Sequence, residues 1–177
     1  MTSTADSIAS RSPDGSAHSA SSPADGSGGN PGSLVGPAVE HVLKIASTWY
    51  AWDGRPLATD ENVWTPHKAV RRVQDHLLDH LAEVEALLAG ARTIPDTWYG
   101  RTVTIDSDWA RFTETDLAEA RSRLSRLAQL YELRFAAAGP AEWDRHRTPA
   151  WTLREIAEHV AGVTWYADQV GTLPRPA

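Results

Sequence analysis

The sequence predicts an all-α protein, an up-and-down helical bundle built from three long helices and one short N-terminal element. Three observations predict this fold. Apolar residues recur at intervals of three and four in three long segments, a good N-cap residue precedes each of these segments, and no stretch sustains the alternation of a β-strand. The composition agrees, because hydrophobic residues make up 41% and charged residues 23% of the 177 residues, as in an ordinary globular domain.

The N-terminal segment, residues 1–34, is rich in serine, glycine and proline and has few bulky apolar side chains. A segment of this composition cannot bury enough apolar surface to offset the chain entropy that is lost on folding. We therefore expect a disordered tail over 1–34 and one folded domain over 35–177.

Residues 35–63 allow two interpretations. The apolar residues between Val39 and Ala46 fit one face of a helix, whereas the aromatic run that precedes Asp53 and Gly54 is typical of a β-hairpin. We expect one short element that ends in a turn at Asp53 and Gly54, and both the helix and the hairpin remain open.

The first long helix is predicted over 66–89. Thr65 is a good N-cap, Pro66 suits the first helical position, and Gly90 stands where a C-terminal cap belongs. The apolar side chains inside this segment are spaced by threes and fours, which gives the helix one buried face.

The second long helix is predicted over 114–138. It follows a stretch, 91–112, that lacks a lasting period and is expected to be a long ordered loop. Thr113 and Asp116 then form a variant of the capping box, and Gly139 followed by proline ends the helical pattern.

The third helix begins at the best local signal in the chain. Thr152 and Glu155 have the spacing of a capping box, in which each side chain bonds the backbone N–H of the other residue. Trp151 stands where it can form a hydrophobic staple with Ile156. The apolar face of this helix runs on to Val170.

Composition and charge exclude several classes of function. The chain has no cysteine, so a metal ion would be held by histidine or carboxylate side chains and not by thiolates. A net charge of −6 without a basic patch argues against a nucleic-acid partner. No apolar run has the roughly 18 residues that a membrane span needs, and the N-terminus lacks the pattern of a signal peptide. We therefore expect a cytoplasmic protein without a membrane partner.

Three histidines stand in positions that suit a shared site. His76 and His80 are four residues apart, so both imidazoles project from the same side of the helix predicted over 66–89. His159 has the same relation to its own helix, because it lies beside the apolar stripe that faces the core. Two antiparallel helices could bring the three side chains together between them.

Three neutral imidazoles with one open position are typical of a catalytic site for zinc, nickel or a similar divalent ion. Four nearby acidic residues could orient the ligands or act as a base; they are Asp75, Asp79, Glu83 and Glu155. The alternative is that the histidines are ordinary residues at the edge of the core and that these carboxylates are solvated helix charges.

The segment 151–161 reads Trp-Thr-Leu-Arg-Glu-Ile-Ala-Glu-His-Val-Ala. It resembles the Trp-Ser/Thr-x-x-Glu-x-x-x-His segment of DinB-like proteins, the helical-bundle superfamily that includes YfiT-type metal hydrolases and mycothiol-dependent maleylpyruvate isomerase. His76 and His80 look like the histidine pair that completes the three-histidine metal site of that family. The resemblance covers about residues 64–171, with the histidine pair before the single histidine, the reverse of the usual order.

The resemblance implies a DinB-like domain over 35–177 in which His76, His80 and His159 bind one divalent metal, with zinc or nickel as the expected ion. It also implies a hydrolase or a thiol S-transferase that acts on a small electrophile, the latter with a low-molecular-weight thiol such as mycothiol as a second cofactor. The sequence names no small-molecule substrate, and a homodimer stays open. The rival hypothesis is a metal-free helical interaction module that covers a partner with its eight tryptophans.

Overall fold

The computed structural model describes residues 28–59, 62–94 and 102–174. These residues form helices, the segments that connect them and one small antiparallel hairpin. Of the loop expected over 91–112, residues 95–101 lie outside the described residues. The helices are α1 (Val35–Ala46), α2 (Pro66–Leu88), α3 (Glu114–Ala138), α4 (Pro140–Trp143), α5 (Leu153–Ala161) and α6 (Thr164–Asp168), and the strands are β1 (Leu57–Thr59) and β2 (Asn62–Trp64).

The helices pack as a bundle around one apolar core. Helix α1 contacts α3 and α6, while α2 contacts α3, α5 and α6. Fully buried aromatic and aliphatic side chains fill the space between them, among them Trp49, Trp64, Leu77, Tyr131 and Phe135. The predicted all-α helical bundle is therefore confirmed. Within the described part of the chain, none of the helices combines the length and the apolarity that crossing a bilayer requires.

The N-terminal segment contains ordered structure before residue 34. Residues 1–27 of the expected tail lie outside the described residues. Pro31–Leu34 form a 3₁₀ helix, and the Asn30 side chain donates a hydrogen bond of 2.8 Å to the Glu132 carbonyl on α3. A Cβ atom at Gly32 would lie 2.5 Å from the Tyr131 carbonyl oxygen, so this close approach of two backbones requires glycine.

Residues 35–63, for which the sequence allowed a helix or a hairpin, contain both. The apolar stripe forms α1, and a tight turn follows at Gly54, which has a φ of 84°. The hairpin lies beyond that turn, where β1 pairs with β2. The aromatic run before the turn is not part of it, because Trp49 packs edge-on against Phe112 at 5.5 Å and donates a hydrogen bond of 2.9 Å to the Gly171 carbonyl.

The ends of the two long helices agree with the local signals. The Thr65 hydroxyl caps α2 by accepting the Lys68 N–H, and the predicted end at 89 differs by one residue from the observed end. Helix α3 has the predicted ends, because Thr113 and Asp116 cap each other and Gly139 takes a positive φ of 78° after the last turn. Each of these signals acts within one turn of the helix end, which explains why the sequence predicts it well.

The third predicted helix is interrupted. Helix α5 begins after the Thr152 cap as expected, but it ends at Ala161, and the chain resumes as α6. At the break, the Gly162 and Val163 N–H groups each donate a bond of 3.0 Å to the third residue before them, which is the tighter pattern of a 3₁₀ turn. The predicted apolar face continues across the break, and its members are all buried: Ile156, Val160, Val163, Ala167 and Val170.

We expect Thr152→Ala to lower the free energy of unfolding by about 1 kcal/mol, because it removes the hydroxyl that accepts the Glu155 N–H at the start of α5. The Thr152 hydroxyl accepts the Glu155 N–H at 3.2 Å, and the Glu155 carboxylate accepts the Thr152 N–H at 2.7 Å. Chemical denaturation of the metal-free protein measures the change. Thr115→Ala, at an exposed position inside α3, is the matched control and should cause no such loss.

Candidate metal centre

Helices α2 and α5 bring the three predicted histidines together. One ligand nitrogen each from His76, His80 and His159 lies within 4.8 Å of the other two. The ring centroids of His76 and His80 are 4.7 Å apart, and each is 4.9 Å from the centroid of His159. The expected convergence of these side chains is therefore confirmed, and the cluster could hold a metal ion.

Two levels of structure produce this arrangement. His76 and His80 share one side of α2 because four residues make slightly more than one helical turn. His159 occupies the last turn of α5, a helix that packs against α2. The pair is thus a local property of one helix, whereas the third imidazole arrives through tertiary packing.

The cluster is closed on its inner side and open on its outer side. His76 and His80 are buried, whereas His159 is exposed. Behind the cluster, the Tyr166 ring lies 5.7 Å from the His76 ring, and the buried Arg72 guanidinium lies 5.4 Å from the centre of the Tyr166 ring. A small molecule can therefore approach the three imidazoles from the side of His159.

A carboxylate orients His80. The Nδ1 atom of His80 lies 2.7 Å from Glu83 Oε2, one helical turn further along α2. An ionised carboxylate only accepts hydrogen bonds, so this contact selects the neutral tautomer in which Nδ1 carries the proton and Nε2 has the lone pair. Histidines that bind metals commonly have such a partner on the other ring nitrogen.

The other ring nitrogen of His80, Nε2, indicates whether a metal ion fits the cluster. This atom is buried and has no hydrogen-bond partner among the described residues. A buried acceptor without a partner costs about 1–3 kcal/mol, and a metal ion bound at this atom would remove that cost. Zinc–nitrogen bonds of 2.0–2.1 Å at tetrahedral angles place ligand nitrogens about 3.4 Å apart. The ligand nitrogens lie within 4.8 Å of one another, so binding one ion requires the side chains to move closer together.

The protonation state of His76 also suits a metal ligand. Burial, followed by the neighbouring His80, His159 and Arg72, lowers the pKa of His76 to about 2. Metals bind the neutral imidazole and compete with protons for it. At neutral pH, His76 therefore offers its metal-binding form without first losing a proton.

This pKa predicts how the stability of the metal-free protein depends on pH. Unfolded His76 takes up a proton near the ordinary pKa of about 6.5, whereas folded His76 does so only near pH 2. Between these values the unfolded state binds more protons, so the stability present above pH 6.5 is lost as the pH falls. We expect a loss of about 2 kcal/mol from this group between pH 7 and pH 5.

Denaturation midpoints of the metal-free protein across this pH range measure the loss. His76→Gln keeps a polar side chain of similar size without the titrating group, and its stability should fall less steeply with acid. Parallel curves for the parent and this variant would mean that His76 is not held neutral by the fold.

Of the other three candidate carboxylates, two have other partners and the third is exposed. Asp75 pairs with the Arg72 guanidinium at 3.4 Å, and Glu155 belongs to the cap of α5. Asp79 is exposed, and burial of part of the carboxyl, followed by the charge of Asp75, raises its pKa. Glu83 is thus the member of the predicted set that bonds a histidine of the cluster.

Two aromatic residues at the site were not predicted as site residues. Trp151, expected to form a staple with Ile156, has its ring centroid 4.9 Å from that of His159. Tyr166 packs on His76 from the inner side. The sequence does hold a signal for Tyr166, since it follows His159 by seven residues, about two helical turns. Its contact with His76 nevertheless depends on how α6 packs against α2.

The tryptophans are divided between the core and the surface. Four of them are buried and contribute to the bundle interior, namely Trp49, Trp52, Trp64 and Trp143. Trp109, Trp151 and Trp165 are partly exposed, and Trp98 lies outside the described residues. At least half of the tryptophans that the rival hypothesis assigned to a partner surface are therefore core residues.

No protein-family model matches the chain, and the curated proteins and solved structures contain no match to it either.

Proposed function

We propose that this chain is a DinB-like metalloprotein that binds one divalent metal ion between α2 and α5. His76, His80 and His159 are the ligands, and zinc or nickel is the ion that an all-imidazole donor set favours. The single observation that carries the proposal is the meeting of three ligand nitrogens from two helices within 4.8 Å. The family assignment rests on the likeness of residues 151–161 to the DinB segment.

The hydrogen bonding of His80 favours a metal site over the alternative that the three histidines are ordinary residues at the edge of the core. Ordinary histidines at the edge of a core keep both nitrogens hydrated or hydrogen bonded. Here the carboxylate of Glu83 holds one nitrogen of His80, while the other nitrogen is buried without a partner among the described residues. Three imidazoles whose ligand nitrogens lie within 4.8 Å of one another form a donor set for a cation.

The proposed reaction is hydrolysis of a small electrophile or transfer of a thiol to it, in the cytoplasm and without a nucleic-acid partner. An ion in such a site acts as a Lewis acid and lowers the pKa of a bound water or thiol. The protein holds His76 neutral, orients His80 through Glu83, and leaves one side of the cluster open. Tyr166 and Arg72 close the inner side, so access is through the side of His159.

Metal content tests the proposal. The full-length chain without a histidine tag is exposed to Zn²⁺ or Ni²⁺, dialysed, and analysed by mass spectrometry for metal. We expect one ion per chain. A content near zero after this loading would overturn the proposal and leave the metal-free interaction module as the better description.

The same preparation distinguishes the two reactions. The chain is loaded with Co²⁺, whose visible spectrum reports its ligands, and a low-molecular-weight thiol is added. A new sulfur-to-metal absorption band supports the thiol transferase, since thiolate is a strong ligand for such ions. An unchanged spectrum would remove the thiol transferase and leave metal binding, which a hydrolase shares.

A further inference from the structure

Trp151 occupies an unusual place for so large an apolar side chain. It is 46% exposed, and its ring lies edge-on to His159, with the centroids 4.9 Å apart. Its ring is also nearly parallel to that of His80, at an interplanar angle of 18° and a centroid distance of 6.3 Å. One part of the indole thus covers two of the three imidazoles, while the rest faces solvent beside them.

The backbone around Trp151 is held firmly. The Ala150 N–H donates a bond of 2.7 Å to the Arg147 carbonyl, and the Arg147 guanidinium bonds the Glu142 carboxylate. On the other side, Thr152 begins α5 with both halves of its capping box formed. Trp151 therefore lies between a hydrogen-bonded turn, which ends at Ala150, and the capped start of α5.

An ion pair also joins the segment before Trp151 to α5. The Arg154 guanidinium makes two bonds, of 2.6 and 3.0 Å, to the Asp144 carboxylate, and it also lies 5.9 Å from the centre of the buried Trp143 ring. Paired bonds between a guanidinium and a carboxylate define direction as well as distance. These bonds connect the backbone before Trp151 to α5, the helix that carries His159.

Trp151 lies at the open side of the histidine cluster. The inner side is occupied by Tyr166 and Arg72, and His76 and His80 are buried, so solvent reaches the cluster beside His159. Trp151 borders that same side. A molecule that places one atom among the imidazoles from this side has the exposed indole beside its remaining part.

We propose that Trp151 is a specificity-determining residue that selects ligands with a flat aromatic group next to the atom that meets the metal. The inference rests on the proposed metal site. An aromatic group on the indole gains stacking in addition to the burial of apolar area, whereas an aliphatic group gains burial alone. The substrate class is thus a small electrophile that carries an aromatic ring beside its reacting group.

Three hydroxamates that differ in one substituent test this inference. Benzohydroxamate, cyclohexanecarbohydroxamate and acetohydroxamate present the same metal-binding group with a flat, a bulky aliphatic and a minimal substituent. Each is titrated into the full-length Co²⁺ protein, and the visible spectrum gives the dissociation constant. We expect benzohydroxamate to bind about tenfold more tightly than acetohydroxamate, with the cyclohexane compound between them.

Variants separate stacking from the chemistry of the hydroxamates themselves. Trp151→Leu keeps an apolar side chain without a ring, and the preference for benzohydroxamate should shrink to about twofold. Trp151→Phe retains a ring and should keep most of the preference. Trp165→Leu is the matched control, because Trp165 is 41% exposed and packs on Trp64 and Tyr166, and it should leave the preference unchanged.

The outcomes distinguish this inference from the proposed function. If the parent binds no Co²⁺, both fail. If the parent binds Co²⁺ and Trp151→Leu retains the full preference for benzohydroxamate, Trp151 does not determine specificity. The proposal of a metal site is then unaffected. If Trp151→Leu does not fold, Trp151→Met and Trp151→Phe provide the same comparison, and equal preferences in these two variants would overturn the inference.

Discussion

His159→Ala is expected to abolish most of the metal affinity and to leave the fold intact. The substitution removes the ligand that α5 contributes and keeps His76 and His80 together on α2. The loss should exceed the 10- to 100-fold that follows removal of a hydrogen-bonded partner of a ligand. Because His159 is exposed, its removal leaves no buried cavity and should change the stability of the metal-free protein little.

Two measurements check this expectation. Competition with a chelator of known affinity gives the dissociation constant for Zn²⁺, and thermal denaturation with and without Zn²⁺ gives the stabilisation by metal. A ligand at 100 times its dissociation constant stabilises the folded state by about 2.7 kcal/mol, so the parent should melt at a higher temperature with metal. The variant should show almost no increase.

The control is His146→Ala, which removes an exposed imidazole outside the cluster and should behave like the parent. A His159→Ala protein that binds Zn²⁺ as tightly as the parent would show that His159 is only a residue at the edge of the core. One that fails to fold without metal would show that the imidazole has a structural role.

Glu83→Ala should lower metal affinity by about 10- to 100-fold, the second largest effect that we expect. The carboxylate accepts the hydrogen bond from His80 Nδ1 at 2.7 Å and thereby sets which nitrogen carries the proton. Without it, His80 divides its population between two tautomers and more ring orientations. Binding then has to select the productive one, and the ligand is also less basic.

Two further variants separate this hydrogen bond from simple charge. Glu83→Gln retains an acceptor oxygen but loses the charge, so its affinity should lie between those of the parent and the alanine variant. Glu158→Gln removes an exposed charge next to His159 without a hydrogen bond to His80, and it should reduce affinity much less. Equal losses in Glu83→Ala and Glu158→Gln would reduce the role of Glu83 to its charge.

Features that depend on contacts within about one helical turn were determined by the sequence alone. The caps at Thr65, Thr113 and Thr152 define where three helices begin, because each hydroxyl bonds an N–H only three residues away. The shared side of His76 and His80 follows from the same short distance, since the pitch of the helix decides it.

Features that depend on distant contacts were decided by the tertiary structure. The aromatic run at 49–52 joins the core because Phe112 and the carbonyl of Gly171 receive Trp49, and both lie more than 60 residues further along the chain. Its strand-like composition therefore indicates burial and not pairing. The break at Gly162 likewise leaves the apolar period intact, so the period by itself does not reveal it.

The candidate metal centre likewise has features that the sequence determined and features that only the tertiary structure decided. Sequence spacing selected its three histidines, because residues that flank an apolar stripe turn toward a neighbouring helix. Only the packing of α5 on α2 determined that the third imidazole meets the other two, that burial lowers the pKa of His76, and that Trp151 borders the open side. The physical reason is that spacing determines the direction of a side chain on its own helix, whereas distances between helices, access of solvent and shifts of pKa arise when the whole bundle closes around its core.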